Sequence, residues 1–523
     1  MNQILIHYEE IHPTTWAYVS SLMTIGLFFK FSRFWSVRNL DLVLLILLAP
    51  GLLLVHSGQD IQMSAASLGD DSHVESRAVT EPEENEVGLQ NGGGGTELTD
   101  ADGIARQLSA ASAVSEGVAD HDLDGHADAE TAPSTPASRE QVRGGSIERR
   151  GYIWIFIAGT MLLIRLLIDP AMVRRPLLDP NLTPGGLTFV CCALFVFLMA
   201  NVITGEVTED DLKGPRGADK LLAGEDADQS LDTLARHGPG NPLLHLLPTI
   251  STTWVQGTNA APSMEREPSR FVYAAKLMAI LSQFAIVAGI VVIGYRHFEN
   301  MRAGIGAAVL YLMLPYTALM TGRVMHVLPA ALLTWAVVFY RRPEVAGGFL
   351  GFAMGAVYYP FFLLPLWLSF YWQRGLVRFV IGVVVSLALV ILLLALTAAN
   401  IADFWEHLRQ IFGLMIPRTK GLEGFWQSLD EAHRVYRFPV LAAFIIISFA
   451  MALWPAQKNL GTLISCSATV MLATQYWHGY GGGLYMAWYV PLVLLTIFRP
   501  NLEDRVALAV LGDFWPGRRR NTN

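Results

Sequence analysis

The chain is poor in charge: Asp, Glu, Lys and Arg make up 16% of its 523 residues, where a soluble domain carries about a quarter. That deficit argues against a freely soluble enzyme. Cysteine is scarcer still. Cys191, Cys192 and Cys466 all sit in apolar runs, where a thiol behaves as a small hydrophobe. An odd count at these spacings gives neither a disulfide framework nor metal-ligand pairs. No Walker loop, dinucleotide fingerprint, nucleophile elbow or HExxH pair occurs, so the usual marks of nucleotide and hydrolytic chemistry are missing. The first apolar run, near Thr14, follows Glu9 and Glu10 without a basic stretch, and a cleaved signal peptide is not expected. Nucleic-acid binding needs clustered, accessible basic charge, and that is lacking too.

Apolar residues are abundant instead, at 52%, with mean hydropathy +0.38. The net charge of −8 averages two unlike parts. Between Ser57 and Glu148 there are 19 Asp/Glu against 4 Arg and no Lys, a balance of −15. The rest holds 26 acidic against 33 basic residues, or +7. A basic membrane body therefore carries a long acidic insert. With a Gly92–Gly95 tract and almost no aromatics, the insert buries too little apolar surface to offset ordering entropy, which predicts disorder.

A membrane-spanning helix needs roughly 20 apolar residues. Candidate spans are 14–31, 39–55, 152–168, 187–203, 271–295, 303–320, 324–340, 377–397, 438–454, 460–474 and 484–498. The expected fold is an all-α polytopic membrane protein with about 11 full spans. One further apolar run, 345–371, is interrupted by glycines and by Tyr358-Tyr359-Pro360. Basic residues favour the cytoplasmic side. Lys30, Arg33, Arg38, Arg174, Arg175, Arg296, Arg302, Arg341 and Arg342 can all fall inside. Arg374, Arg378, Lys458, Arg499 and Arg518–Arg520 join them only if 345–371 is a hairpin of two short helices. This places the N-terminus and the insert outside a cell membrane and the C-terminus in the cytoplasm. Arg149, Arg150, Arg323 and the mixed-charge segment after Thr397 are exceptions. Polar outer segments then run over 204–270 and 398–437, with apolar stretches 241–255 and 402–416 expected as helices lying on the bilayer.

Four clusters could carry chemistry. Glu206, Glu209, Asp210 and Asp211 follow the fourth span, where carboxylates can act as a base or hold a divalent cation; a solvated acidic loop is the plainer reading. Arg323 and His326 sit in a short turn between spans. An arginine there suits phosphate, or snorkels to headgroups. Tyr358 and Tyr359 mark a broken helix that lines a cavity or simply packs. His478 follows Gln475-Tyr476-Trp477, an expected interfacial aromatic belt. Gly481–Gly483 is a loop signal, without the strand and basic residue of a phosphate cradle.

The pattern Gly322-Arg323-x-x-His326, Arg341-Arg342, Ala346-Gly347, Gly351, Gly355, Tyr359-Pro360 and Arg374, with Trp488-Tyr489-x-Pro491, resembles the GT-C superfamily. Those are integral-membrane glycosyltransferases that use polyprenyl-phosphate sugars, including a mannosyltransferase branch. The likeness covers mainly 187–499, with Arg323 where the family often has Gln and Tyr359 where it often has Lys. It implies a membrane core at 187–499, preceded by two N-terminal membrane helices (1–56), the insert (57–148) and a third helix with its turn (149–186). A basic tail (500–523) follows. It also implies an acidic motif in the first large outer loop, with Asp210 or Asp211 as catalytic base. Glu209, Asp210 and Asp211 would be the ligands of any divalent cation. Glu206, Arg323, His326, Tyr358, Tyr359 and His478 would bind substrate, the partners being the bilayer, a polyprenyl-phosphate-linked sugar donor and an acceptor. The rival expectation is non-enzymatic: a transporter subunit, or a scaffold whose acidic insert recruits partners. Transport would favour internal repeats, and none is evident.

Overall fold

The computed structural model describes residues 12–78, 136–172, 178–223, 242–246, 248–249, 267–397, 404–405, 420–455 and 458–500. Among these the chain is helical, with no strand and one isolated bridge between Glu423 and Tyr480. Six helices are long and apolar enough to cross a membrane, and shorter apolar helices accompany them. The expected interfacial helices 241–255 and 402–416 fall largely outside the described residues, as do 79–135 of the insert and the tail 501–523.

The chain divides into two compact units. One comprises Met1–Gly58 with Ser146–Asn523, the other Gln59–Gly145. The first helix is α1 (Pro13–Phe28); the expected boundaries at 56 and 148 both fall inside the next two, because α2 (Val37–Ala78) and α3 (Pro136–Ile168) run beyond their apolar stretches. A helix already nucleated in an apolar run propagates cheaply into polar sequence rich in Ala, Ser and Gln. The apolar parts of these helices belong to the same unit as the core: Tyr152 of α3 and Leu42, Leu45 and Leu52 of α2 are fully buried in it.

Proline accounts for most departures from single spans. The run expected at 303–320 divides into Met301–Met313 and Pro315–Met320. Pro315 has no N–H for the preceding turn; Thr317 Oγ1 donates instead to the carbonyl of Tyr311, 2.6 Å away. The last run opens with a short turn, Met486–Trp488, before Val490–Phe498. Between Pro343 and Tyr371 the chain forms two short helices, Pro343–Ala356 and Leu364–Tyr371, joined by a tight turn over Tyr359–Leu363. Tyr371 Oη donates to the carbonyl of Tyr340 at 2.6 Å, so the far end of the second helix returns to the start of the first.

Glycines set the closest packing. A Cβ on Gly347 would lie 2.3 Å from the carbonyl oxygen of Phe379, and one on Gly382 would lie 2.0 Å from that of Glu344. The helices Pro343–Ala356 and Leu376–Thr397 thus touch backbone to backbone, as small residues permit in membranes. Helix Leu460–Trp477 is buried on nearly all sides, and the hydroxyls of Ser465, Thr469 and Thr474 donate back to its own carbonyls. Asn459 starts it with a reciprocal cap to Thr462.

Candidate functional site

The segment after Pro184–Thr204 begins a helix, Glu209–Ala223, with three successive carboxylates. Successive residues on a helix point about 100° apart, so the three fan out. Glu209 is exposed and pairs with Arg216 at 2.7 Å. Asp210, also exposed, pairs with Lys213 at 2.5 Å. Asp211 turns inward, only 6% exposed.

Asp211 is held by residues more than a hundred positions away. Val324 N–H donates to Oδ1 at 3.2 Å, and Arg323 Nη1 donates to Oδ2 at 3.3 Å. Thr208 Oγ1 donates to Oδ2 at 2.7 Å and accepts from Arg323. Val324 opens the helix Val324–Val338. The Asp211 carboxylate therefore caps that helix from outside and meets its positive end. Burial pushes the Asp211 carboxyl above its ordinary value, against the opposing pull of Arg323, Thr208 and the Val324 N–H. The Arg323 side chain is 39% exposed and open to an incoming anion.

One turn along the same helix, His326 faces an array of rings. Its Nδ1 lies 2.8 Å from Tyr316 Oη, and its ring stacks on Tyr485 with centroids 4.3 Å apart. Tyr485 also lies 4.6 Å from His478 and 4.5 Å from Trp488. Tyr359 approaches His478 at 4.5 Å. His478 Nδ1 accepts from Tyr480 N–H at 3.2 Å, which leaves the neutral ring's proton on Nε2. Trp488 Nε1 donates to the carbonyl of Met325. The loop between His478 and Tyr485 needs left-handed backbone at Gly481 and Gly483, with φ of 68° and 100°. At Gly482 a Cβ would lie 2.4 Å from the carbonyl oxygen of Gln475.

Of the residues singled out by sequence, Asp211 and Arg323 meet directly, His326 and His478 flank Tyr485, and Tyr359 packs on His478. Tyr358 lies one ring aside, against Phe361 and Phe362. Glu206, Glu209 and Asp210 are exposed. Among the described residues no three His, Cys, Asp or Glu side chains group as a metal site requires; the candidate set Glu209, Asp210 and Asp211 diverges around the helix. Sequence reasoning missed Thr208, Tyr316 and Tyr485. Thr208-x-x-Asp211 carries a helix-start signal; the two tyrosines carry none.

It also missed a buried ion network. Arg165 reaches Asp41 at 2.7 Å and Asp169 at 2.9 Å, and Arg499 reaches Asp169 at 2.6 Å. Charges inside apolar runs were the available signal. Tyr152, thirteen residues before Arg165 on α3 and so roughly 20 Å away along the helix, touches Gly424 at the other end.

Comparison with known protein families, curated proteins and solved structures gives no match for this chain.

Proposed function

We propose that the protein is a membrane glycosyltransferase of GT-C type, moving a sugar from a polyprenyl-phosphate carrier to an acceptor on the outer face of a cell membrane. Its topology in this reading has about 11 crossings plus the 345–371 hairpin, with the N-terminus and acidic insert outside. One observation carries the proposal: a buried carboxylate, Asp211, meets a half-exposed guanidinium, Arg323, beside the His326–Tyr485–His478 array.

Asp211 is the base. Its Oδ1 accepts the Val324 N–H, and a carboxylate oxygen has room for a second donor. The acceptor hydroxyl gives its proton to that oxygen as its own oxygen bonds to the anomeric carbon. The bond from that carbon to the carrier phosphate breaks, and the phosphate leaves with the electron pair. Arg323 steadies the growing phosphate charge. Asp210 is set aside as base because Lys213 holds it at the surface. Tyr359 and His478 line the sugar side.

The same hydrogen bonds favour a second reading, in which Asp211 only pins Val324–Val338 to the acidic segment and the chain is a scaffold. Purified protein in vesicles, offered prenyl-phosphate-linked sugars, separates the two by mass spectrometry of released prenyl phosphate. Release that disappears in Asp211→Asn, at unchanged yield and melting temperature, is expected. Undiminished release in that variant overturns the assignment of the base; none from the wild type overturns the enzyme.

A further inference from the structure

Arg437 is a cation in an unfavourable place. It is buried, 5% exposed, and it opens the helix Arg437–Leu453, so its charge lies at that helix's own positive end. The offset comes from a neighbouring helix. Arg437 Nε donates to the carbonyl of Trp477 at 2.8 Å, the last residue of Leu460–Trp477, where a helix presents bare carbonyls and its negative end. The guanidinium then continues beneath Gly479, on which a Cβ would lie 2.7 Å from Arg437 Nη2. From the other side, Glu423 N–H donates to the Gly479 carbonyl at 2.8 Å. His478 lies between these two held residues, and its ring meets Tyr359 and Tyr485.

We propose that Arg437 is a positioning residue for His478: by holding Trp477 and Gly479 on either side, it fixes the imidazole against Tyr359 and Tyr485 with the proton on Nε2. What the imidazole does in catalysis rests on the glycosyltransferase reading; the hold itself does not. A small apolar residue would open this helix without burying a charge, so packing alone does not require an arginine. A lysine is a point donor, whereas the planar fork reaches a carbonyl through Nε and fills the space under Gly479 with Nη2. The tautomer follows from the bond that Nδ1 accepts from Tyr480 N–H. Arg437, His326, Tyr359, Tyr480 and Tyr485 surround the ring. Burial first, then Arg437 and His326, hold the His478 pKa down to about 3, and the ring is neutral at ordinary pH.

The test is solid-state NMR of the full chain in vesicles with ¹⁵N-labelled histidine, the His478 ring signals being those lost in His478→Gln. The wild type is expected to show one Nε2–H tautomer. Arg437→Gln mixes the tautomers and slows prenyl phosphate release about tenfold or more, as displacement of a reacting group does. Gly479→Ala, whose Cβ presses on the guanidinium, does the same with Arg437 still in place, and serves if Arg437→Gln folds poorly. Arg434→Gln, which removes a neighbouring cation bonded to Gln427 and Leu429 instead, changes neither reading. An unchanged His478 signal in both Arg437→Gln and Gly479→Ala, or mixed tautomers with undiminished release, overturns the proposal. Mixed tautomers in the variants of a protein whose wild type releases no prenyl phosphate would keep the hold on His478 and sink the transferase reading. Release by the wild type with His478 indifferent to both variants would do the reverse.

Discussion

The two polar ends of this helical unit solve the problem of charge near an apolar interior in opposite ways. At one end, Arg165 and Arg499 close on Asp41 and Asp169, with all four side chains at most 10% exposed. At the other, Asp211 is equally buried but its cation, Arg323, is 39% exposed. The first arrangement is buried and closed on all sides, which suits a structural clasp. The second has one partner turned outward beside imidazoles and tyrosines, which suits binding. Burial of charge alone does not separate structure from function; the exposure of the partner does.

Removing a clasp residue should give the largest effect. Arg165→Leu leaves two buried carboxylates short of a partner and should cost about 3–5 kcal/mol, read as a fall in melting temperature in detergent. If the clasp is purely structural, replacing Asp41, Arg165, Asp169 and Arg499 together with apolar residues restores most of that loss. Arg323→Gln should do the opposite, lowering prenyl phosphate release about a hundredfold while stability changes by less than about 1 kcal/mol, since the exposed guanidinium is screened by solvent. Asp211→Ala removes a helix cap and should cost about 1–2 kcal/mol; Asp211→Asn, which still accepts from Val324 N–H, should cost less.

The smallest effect is on pH dependence. Burial raises the Asp211 pKa in the folded state, so the fold keeps this proton to higher pH than the unfolded chain. Its contribution therefore falls as pH rises from about 4, the ordinary carboxylate value, through the raised folded value, and is regained on acidification. Melting temperature followed from pH 7 towards pH 4 should drop less, or rise more, in the wild type than in Asp211→Asn. Parallel curves would mean that burial does not dominate.

How far the sequence reached differs between these ends. Apolar runs placed most helices, and Tyr358-Tyr359-Pro360 marked the turn between two short ones. Single-sequence hydropathy missed the break at Pro315, because composition stays apolar through it, and missed the length of α2 and α3, because helix propagates past the apolar stretch. Asp211 and Arg323 stood out by residue type, but their meeting across 112 positions is tertiary. Its place directly after the fourth span singled out the acidic cluster, but could not say which of three adjacent carboxylates faces inward. Tyr485 reads as one more belt aromatic until His326 and His478 are seen beside it in space. The clasp was legible in principle, as charges within spans, yet topology reasoning counted Arg499 only as a cytoplasmic marker.

The most direct measurement is the rate of prenyl phosphate release per folded molecule for Asp211→Asn and Asp41→Asn, side by side in vesicles. The expected result is a loss of about a hundredfold or more in the first, and in the second a lower melting temperature at a near-normal rate. Equal rates in the two variants would contradict the account.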